Sequence, residues 1–597
     1  MARTDVAASA IWSKFGPKQS LDTQAGGRLF DPNPVPKMPA FATGAERQRA
    51  SKSRLNQSVG QDGLASVEGV STWVIPEKLN MPGLDRRIIA QLNHESVIAH
   101  VKADIRSDFI LAPHYNAIFS RAGDELWEQV KQQLRSGTYQ PELPITMSVP
   151  KERFFTRPGS ILRPADRFMY QALVDNIMNE LEEGHDRSRS FSHVPSEEEG
   201  QMFVPNHECW ERFQERVAEV CSHSDFILKA DISNYFERLP QHHLVNLMAA
   251  AGCAPGVVSL LEEMMLAFRE RNSFGIVQGV YPSDALGNFF LSDFDAYCEL
   301  AEIMSARYVD DTYMGFPSEA EARQGLAELI ETLRKDGLHL NEYKSKIMPA
   351  DEVIQEETAI DRLFDEIREE IEDDETYNRA SPYGFEVEWE DEDDEAEGGE
   401  DEDEELENAA VERLMENIGD YPNQEDQIEK FCLPILRSAQ SESAVEHVLV
   451  KLKDKPHQTR LYFSYISTFV RTSQDVVGAL EELVADDTVS DYQRMFLLAA
   501  LLRARTVTRP TVNTALQWLQ NRRVAKETRA MAAILAAKHG VAQQKRAVRT
   551  SYEDEPSDYV RSAILFSSKY LTAVERKTCK RAWGGHNQIN TLIAQTI

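Results

Sequence analysis

ARYVDDTYMGF, residues 306–316, decides how this chain is read. Asp310 and Asp311 stand between two short apolar runs, with Tyr308 and Val309 before them and Tyr313, Met314 and Phe316 after. Runs of this length and aromatic content read as strands. The stretch therefore predicts a buried hairpin with two carboxylates at its turn. Adjacent acids alone say little, since Asp373–Asp374 is simply solvated acid. The apolar context sets Asp310–Asp311 apart.

A second segment, FILKADISNYFERL (226–239), places Asp231 directly after another strand-like run. Three carboxylates gathered from neighbouring strands suit two hard divalent cations, which take oxygen ligands and sit about 4 Å apart. One such ion activates an attacking hydroxyl and the other supports a leaving pyrophosphate. Between the two segments lies QGVYPSDALGNFFL (278–291), a turn running into an apolar helix. Helical period is clear in Glu125–Leu134 and Met169–Leu181, so the region from about 75 to 348 mixes helix and strand.

These segments resemble the palm motifs of reverse transcriptases, in order. Asp231 in ADISNYF matches the first, QGxxPSxxLGN the second, Tyr308-Val309-Asp310-Asp311 the third, and GLHLNEYKSK (337–346) the fourth. Upstream, VPKERFFTRPGSILRPADRFMYQAL (149–173) matches the fingers. The resemblance implies catalytic roles for Asp231, Asp310, Asp311 and Lys344, with Lys344 as the acid for pyrophosphate departure. It implies metal ligation by Asp231, the Ile232 carbonyl, Asp310 and Asp311, for two Mg²⁺ ions or Mn²⁺. It implies nucleotide binding by Lys151, Arg157, Phe236, Gln278 and Gly279, with Arg163 a rival for Arg157. Phe236 falls at the steric gate, which favours dNTPs over NTPs. Pro282, Ser283, Gly287 and Asn288 shape the turn and helix, and Tyr235, Phe289 and Phe290 read as core.

From about 410 onward the pattern is helical. Arg460, Arg494, Arg529 and Arg561 each open a similar apolar stretch (QTRLYFSYI, DYQRMFLLAAL, ETRAMAAILAA, DYVRSAILFSS), at spacings of 34, 35 and 32 residues. That period fits a helix-pair solenoid, loosely HEAT-like. No thumb is evident after Lys346, so the solenoid is expected to stand in for one. The fold class is thus an α+β right-hand polymerase (fingers and palm) followed by an all-α helical-repeat region. The divisions are a basic arm (1–74), fingers and palm (75–348), an acidic helix and disordered acidic linker (349–409), and the repeat region (410–597).

A palm followed by helical repeats resembles the bacterial phage-defence reverse transcriptases, abortive-infection (AbiK-like) and defence-associated. That resemblance implies dNTP polymerisation, RNA-directed or untemplated, with an RNA template or non-coding RNA as partner. It also implies DNA product that is protein-primed and so covalently attached, and a homo-oligomer. Two other readings stand beside it. Arg581 and His586 fit the R-x4-H pattern of HEPN ribonucleases, although about one such match is expected by chance and a helix-end His with a Gly-Gly cap explains them without a nuclease. A non-catalytic palm serving as a scaffold is the third, against which stand the intact carboxylates, Lys151 and Phe236.

Composition excludes less than it first suggests. The net charge of −33 over 597 residues argues against phosphate binding. Yet residues 351–407 hold 29 Asp/Glu and three Arg, leaving the rest of the chain at only −7. Within them, 386–407 carries sixteen acids and no base, a block expected to repel itself and stay disordered. It is also a candidate mimic of nucleic acid over the polymerase channel. The first sixty residues are basic, with nine Lys/Arg against four Asp/Glu. No apolar run of 18 residues and no signal-like start is present, and the six Cys are scattered, so a cytoplasmic protein with reduced, mostly buried thiols and no membrane partner is expected.

Overall fold

A computed structural model describes residues 86–359, 362–364 and 402–597. The basic arm 1–74 and residues 386–401 of the acidic block lie outside the described residues.

Two sheets organise the first half. β1 (Ile145–Pro150) and β2 (Thr156–Ile161) form an antiparallel hairpin in the expected fingers stretch, with Val149 opposite Arg157. A second, antiparallel sheet has the order β4-β5-β3-β6, from β3 (Phe226–Ala230), β4 (Ser305–Tyr308), β5 (Asp311–Phe316) and β6 (Lys346–Pro349). All four β4 side chains are buried. The helix Asn206–Ser222 packs on β4 and β5, and the helix Glu319–Lys335 on β3, β5 and β6. Covering the sheet this way explains the near-continuous apolar strands seen in the sequence. All six Cys are free and buried.

The C-terminal region is helical throughout its described length. The helices Thr459–Ile466, Asp491–Arg503, Lys526–His539 and Asp558–Ser567 pack in succession as one layer. Gln474–Val484, Arg509–Gln520 and Ala542–Asp554 pack against them. The recurrent arginines open the first-layer helices. Arg494 lies over the Trp518 ring at 4.9 Å and Arg561 over the Tyr552 ring at 5.7 Å. Arg529 is buried, donates Nε to the Leu519 carbonyl at 3.0 Å and pairs with the buried Glu555.

One expectation changes. The helix Glu402–Glu416 takes in residues 402–407, so the tail of the acidic block is helical, not irregular. Glu has high helix propensity, and Ala410, Val411 and Leu414 further along are fully buried, which anchors the helix despite its acidic start.

The helical region seats on the fingers. Tyr559 meets His114 edge-on at 4.5 Å and Tyr115 at 5.2 Å. Arg121 Nη1 donates to the Thr596 carbonyl at 3.4 Å, and Gln133 Nε2 to Gln588 Oε1 at 2.6 Å. The helix Asp491–Arg503 lies on β1, and the fingertip Glu152–Phe154 touches Pro456–Gln458.

Replacing Arg529 with Met strands Glu555 as a buried charge. We expect a stability loss of about 3–5 kcal/mol, largely recovered by adding Glu555→Leu. Urea unfolding of the two variants checks this.

Candidate active site

The sheet register brings the three acids together. Ala230 pairs with Thr312, so Asp231, one residue on, comes opposite Asp311. Tyr308 pairs with Asp311, which leaves Val309 and Asp310 as a two-residue turn. Val309 sits at φ 55°, a left-handed conformation that a β-branched residue adopts only under constraint.

The constraint is a buried arginine. Arg307, 1% exposed, donates Nε to Asp295 Oδ1 at 2.9 Å and Nη2 to Asp295 Oδ2. Its Nη1 donates to Asn288 Oδ1 at 2.7 Å and to the Val309 carbonyl at 2.8 Å, and Nη2 to Ser190 Oγ at 2.9 Å. The Val309 N–H donates to Ser192 Oγ at 3.0 Å. Both backbone groups of the strained residue are therefore tied to one buried network. Burial works against the Arg307 charge, but Asp295 more than offsets it and holds the guanidinium above its ordinary range.

Asp231 is fixed from the other side. Its N–H donates to Ser345 Oγ at 3.1 Å, and its carbonyl accepts from the Asn341 N–H at 2.8 Å. Ile232 bridges to Leu340, and the Ser233 N–H donates to the His339 carbonyl. The stretch 337–346 is thereby laid beside Asp231, and Lys344 Nζ reaches Asp231 Oδ2 at 3.1 Å.

The electrostatics match a cation site. Burial, then Asp311 and Asp231, push the Asp310 carboxyl up to about 7. Burial lowers the Lys344 ammonium, but the attraction of Asp231, Asp311 and Asp310 prevails and holds it above the usual lysine range. Crowded carboxylates of this kind fit divalent cations, which would relieve their repulsion.

The expected nucleotide residues divide. Lys151, just after β1, is lowered by burial and by Arg157, and feels Lys344, Asp231 and Glu237. The fingers cation and the palm acids therefore share one field. Phe236 is buried, and its ring fills the space over Gly287, where a Cβ would stand 2.8 Å from it. Gln278 is half-buried beside Gly279, whose φ of 81° suits glycine and whose Cβ would stand 2.6 Å from the Phe109 ring. Arg157 lies over that same ring at 4.1 Å. Arg163 instead pairs with Glu142 at 2.8 Å. Tyr235, Phe289 and Phe290 are core, and Asn288 belongs to the Arg307 network.

Sequence reasoning missed Arg307, Asp295, Ser190 and Ser192. The only available signal was an Arg inside an otherwise apolar strand. It also missed the exposed fingertip rings Phe154 and Phe155, and Tyr343, over which Arg153 lies at 6.0 Å. A separate cluster of Glu425, Glu429 and His447 has ligand atoms within 4.8 Å of one another, but the Lys455 ammonium already bonds both glutamates. His586 Nδ1 bonds the Tyr552 hydroxyl at 2.8 Å, and Arg581 is exposed.

Arg307→Met leaves Asp295 buried without its cation, and we expect about 3–5 kcal/mol of lost stability. Arg307→Lys keeps the charge but cannot serve all four partners, so an intermediate loss of about 1–3 kcal/mol is expected. Chemical unfolding followed by tryptophan fluorescence measures both.

Comparison with known proteins gives one family match. The family "Reverse transcriptase (RNA-dependent DNA polymerase)" matches residues 149–363. No curated protein matches the chain. Among solved structures, apo telomerase from Candida tropicalis is similar at 10% identity and TM-score 0.29, over 79% of this chain and 73% of that one. Telomerase from Candida albicans in complex with a TWJ fragment of telomeric RNA is similar at 11% identity and TM-score 0.28, over 63% and 62%. The Candida tropicalis enzyme with the corresponding RNA fragment shows 12% identity and TM-score 0.28, over 79% and 68%. No described helix is long and apolar enough to cross a membrane. The family match, together with the convergence of Asp231, Asp310 and Asp311, identifies residues 149–363 as a reverse transcriptase domain and the chain as a nucleotidyltransferase.

Proposed function

We propose that the chain extends a DNA strand from dNTPs on an RNA template, with Asp231, Asp310 and Asp311 holding two Mg²⁺ ions. The observation that carries this reading is the register that sets Asp231 opposite Asp311 beside the turn bearing Asp310. Bound Mg²⁺ would supply Lewis-acid stabilisation of the charge that develops during transfer.

The chain's own residues supply the rest. The Arg307 network holds the Val309–Asp310 turn rigid, which fixes where the Asp310 carboxylate points. Lys344, kept protonated by the acids beside it, would donate a proton to the departing pyrophosphate. Lys151 adds a positive charge to the field around Asp231, which suits a triphosphate. Phe236, packed over Gly287, is the ring that would crowd a ribose 2′-OH. The contact of the helical region with β1 and the fingertip supports a role for that region in positioning the fingers. Antiphage defence, a non-coding RNA partner, untemplated synthesis, self-association and priming from a protein hydroxyl rest on the sequence resemblance alone.

Purified chain supplied with dNTPs, Mg²⁺ and a primed RNA template should incorporate nucleotide. Asp310→Ala should reduce the rate by about 10³-fold, some 4 kcal/mol of transition-state stabilisation, and Lys344→Ala by about 10²-fold. Incorporation unaffected by Asp310→Ala would refute the assignment. Phe236→Ala should narrow the preference for dNTP over NTP by about 10–100-fold, read as the ratio of kcat/KM values.

A further inference from the structure

The four recurrent arginines of the helical region are not used alike. Arg494, Arg529 and Arg561 spend their guanidinium groups inside the region, on Trp518, on Glu555 and on Tyr552. Arg460, the first of the series, instead lies over the ring of Phe109 at 5.8 Å, a residue of the fingers side. Phe109 follows Asp108, which accepts from Arg167 at 2.8 Å, so the loop that carries the ring is pinned.

The same ring meets two of the expected nucleotide contacts, Arg157 and Gly279. Arg157 lies 4.1 Å from its centroid, and the ring rests where a Cβ on Gly279 would be. Arg157 Nε is buried and has no hydrogen-bond partner, so no acceptor at that atom sets the orientation of the guanidinium. Three neighbours act on it: Tyr492 and the quadrupole of Phe109 favour its charge, and the like charge of Arg460 opposes it. Tyr492, on the next helix of the first layer, faces both arginines.

We propose that Arg460 is a positioning residue for the nucleotide's phosphates: acting through the Phe109 ring, it holds Arg157 beside Gly279, so that the helical region sets the affinity for the incoming triphosphate. The inference rests on the polymerase reading above. It gives the helical region a direct line into the site, carried by one cation–π stack that spans the seam between the two halves of the chain.

The test is steady-state incorporation of dTTP on poly(rA)·oligo(dT) by the full chain, with Mg·dTTP-induced shift of the melting temperature as the second readout. Arg460→Gln should raise the KM for dTTP about tenfold, the size of one partly desolvated cation–π contact. Its kcat and unliganded melting temperature should stay close to wild type. Arg460→Lys should recover most of the loss. Phe109→Leu should raise KM similarly, and the double variant no further, because both act through one stack. Multiplying effects, an unmoved KM, or a lower kcat and melting temperature at constant KM would each overturn the proposal. If wild type incorporates nothing, the polymerase reading itself fails. The melting shift then decides alone: its loss in Arg460→Gln supports the nucleotide contact, and its retention, or its absence in wild type, overturns it.

Discussion

The buried pair Arg307–Asp295 is the interaction on which the site depends. Arg307 stands two residues before Val309 and donates to its carbonyl, to Asn288 in the helix Tyr281–Phe290, and to Ser190 in the segment ahead of the helix Asn206–Ser222. One side chain thus ties the carboxylate hairpin to the helix that follows Gln278–Gly279. A buried ion pair adds little net stability, because desolvation offsets most of its attraction. Its value here is geometric. Val309 would relax from φ 55° if its N–H and carbonyl were free, and Asp310 would turn with it. The network gives both backbone groups of the strained residue a buried partner.

Much of the site was legible in the sequence because its chemistry is local. Asp231, Asp310 and Asp311 each end or begin an apolar run, and the strand period places them at one end of a sheet. Lys344 was likewise marked by its setting in 337–346, and the structure puts it on Asp231. What stayed hidden depends on pairings between distant segments. Arg307 looks like a flaw in a buried strand until Asp295 and Ser190 are brought to it. Arg157 was assigned from motif position, which says nothing of the ring beneath it. Its neighbour Phe109 carries no motif at all, and Arg460 was read only as a repeat marker.

The charge pattern gains a spatial sense. Excluding residues 351–407 brings the chain from −33 to −7, and the site itself sets Lys344 beside the three carboxylates, with Lys151 in the field of Asp231 and Arg157 near Lys151. Local field rather than net charge decides which ions a site favours, and the cations near these acids are local. Where the acidic stretch re-enters the described residues it does so as helix, and its continuation buries Ala410, Val411 and Leu414. The acidic segment therefore ends against a packed surface that fixes its exit.

The seating of the helical region on the fingers changes what a thumb would have to do here. The region reaches β1, the fingertip and the helix Pro113–Arg121. Aromatic contacts such as Tyr559 on His114 are short-ranged and tolerate little sliding. Fingers that swing independently would break them together with the Arg121 and Gln133 hydrogen bonds. The short fingertip between β1 and β2 is instead turned tightly on itself, where Arg153 and Phe154 hold positive φ and the Lys151 N–H donates to the Phe155 carbonyl.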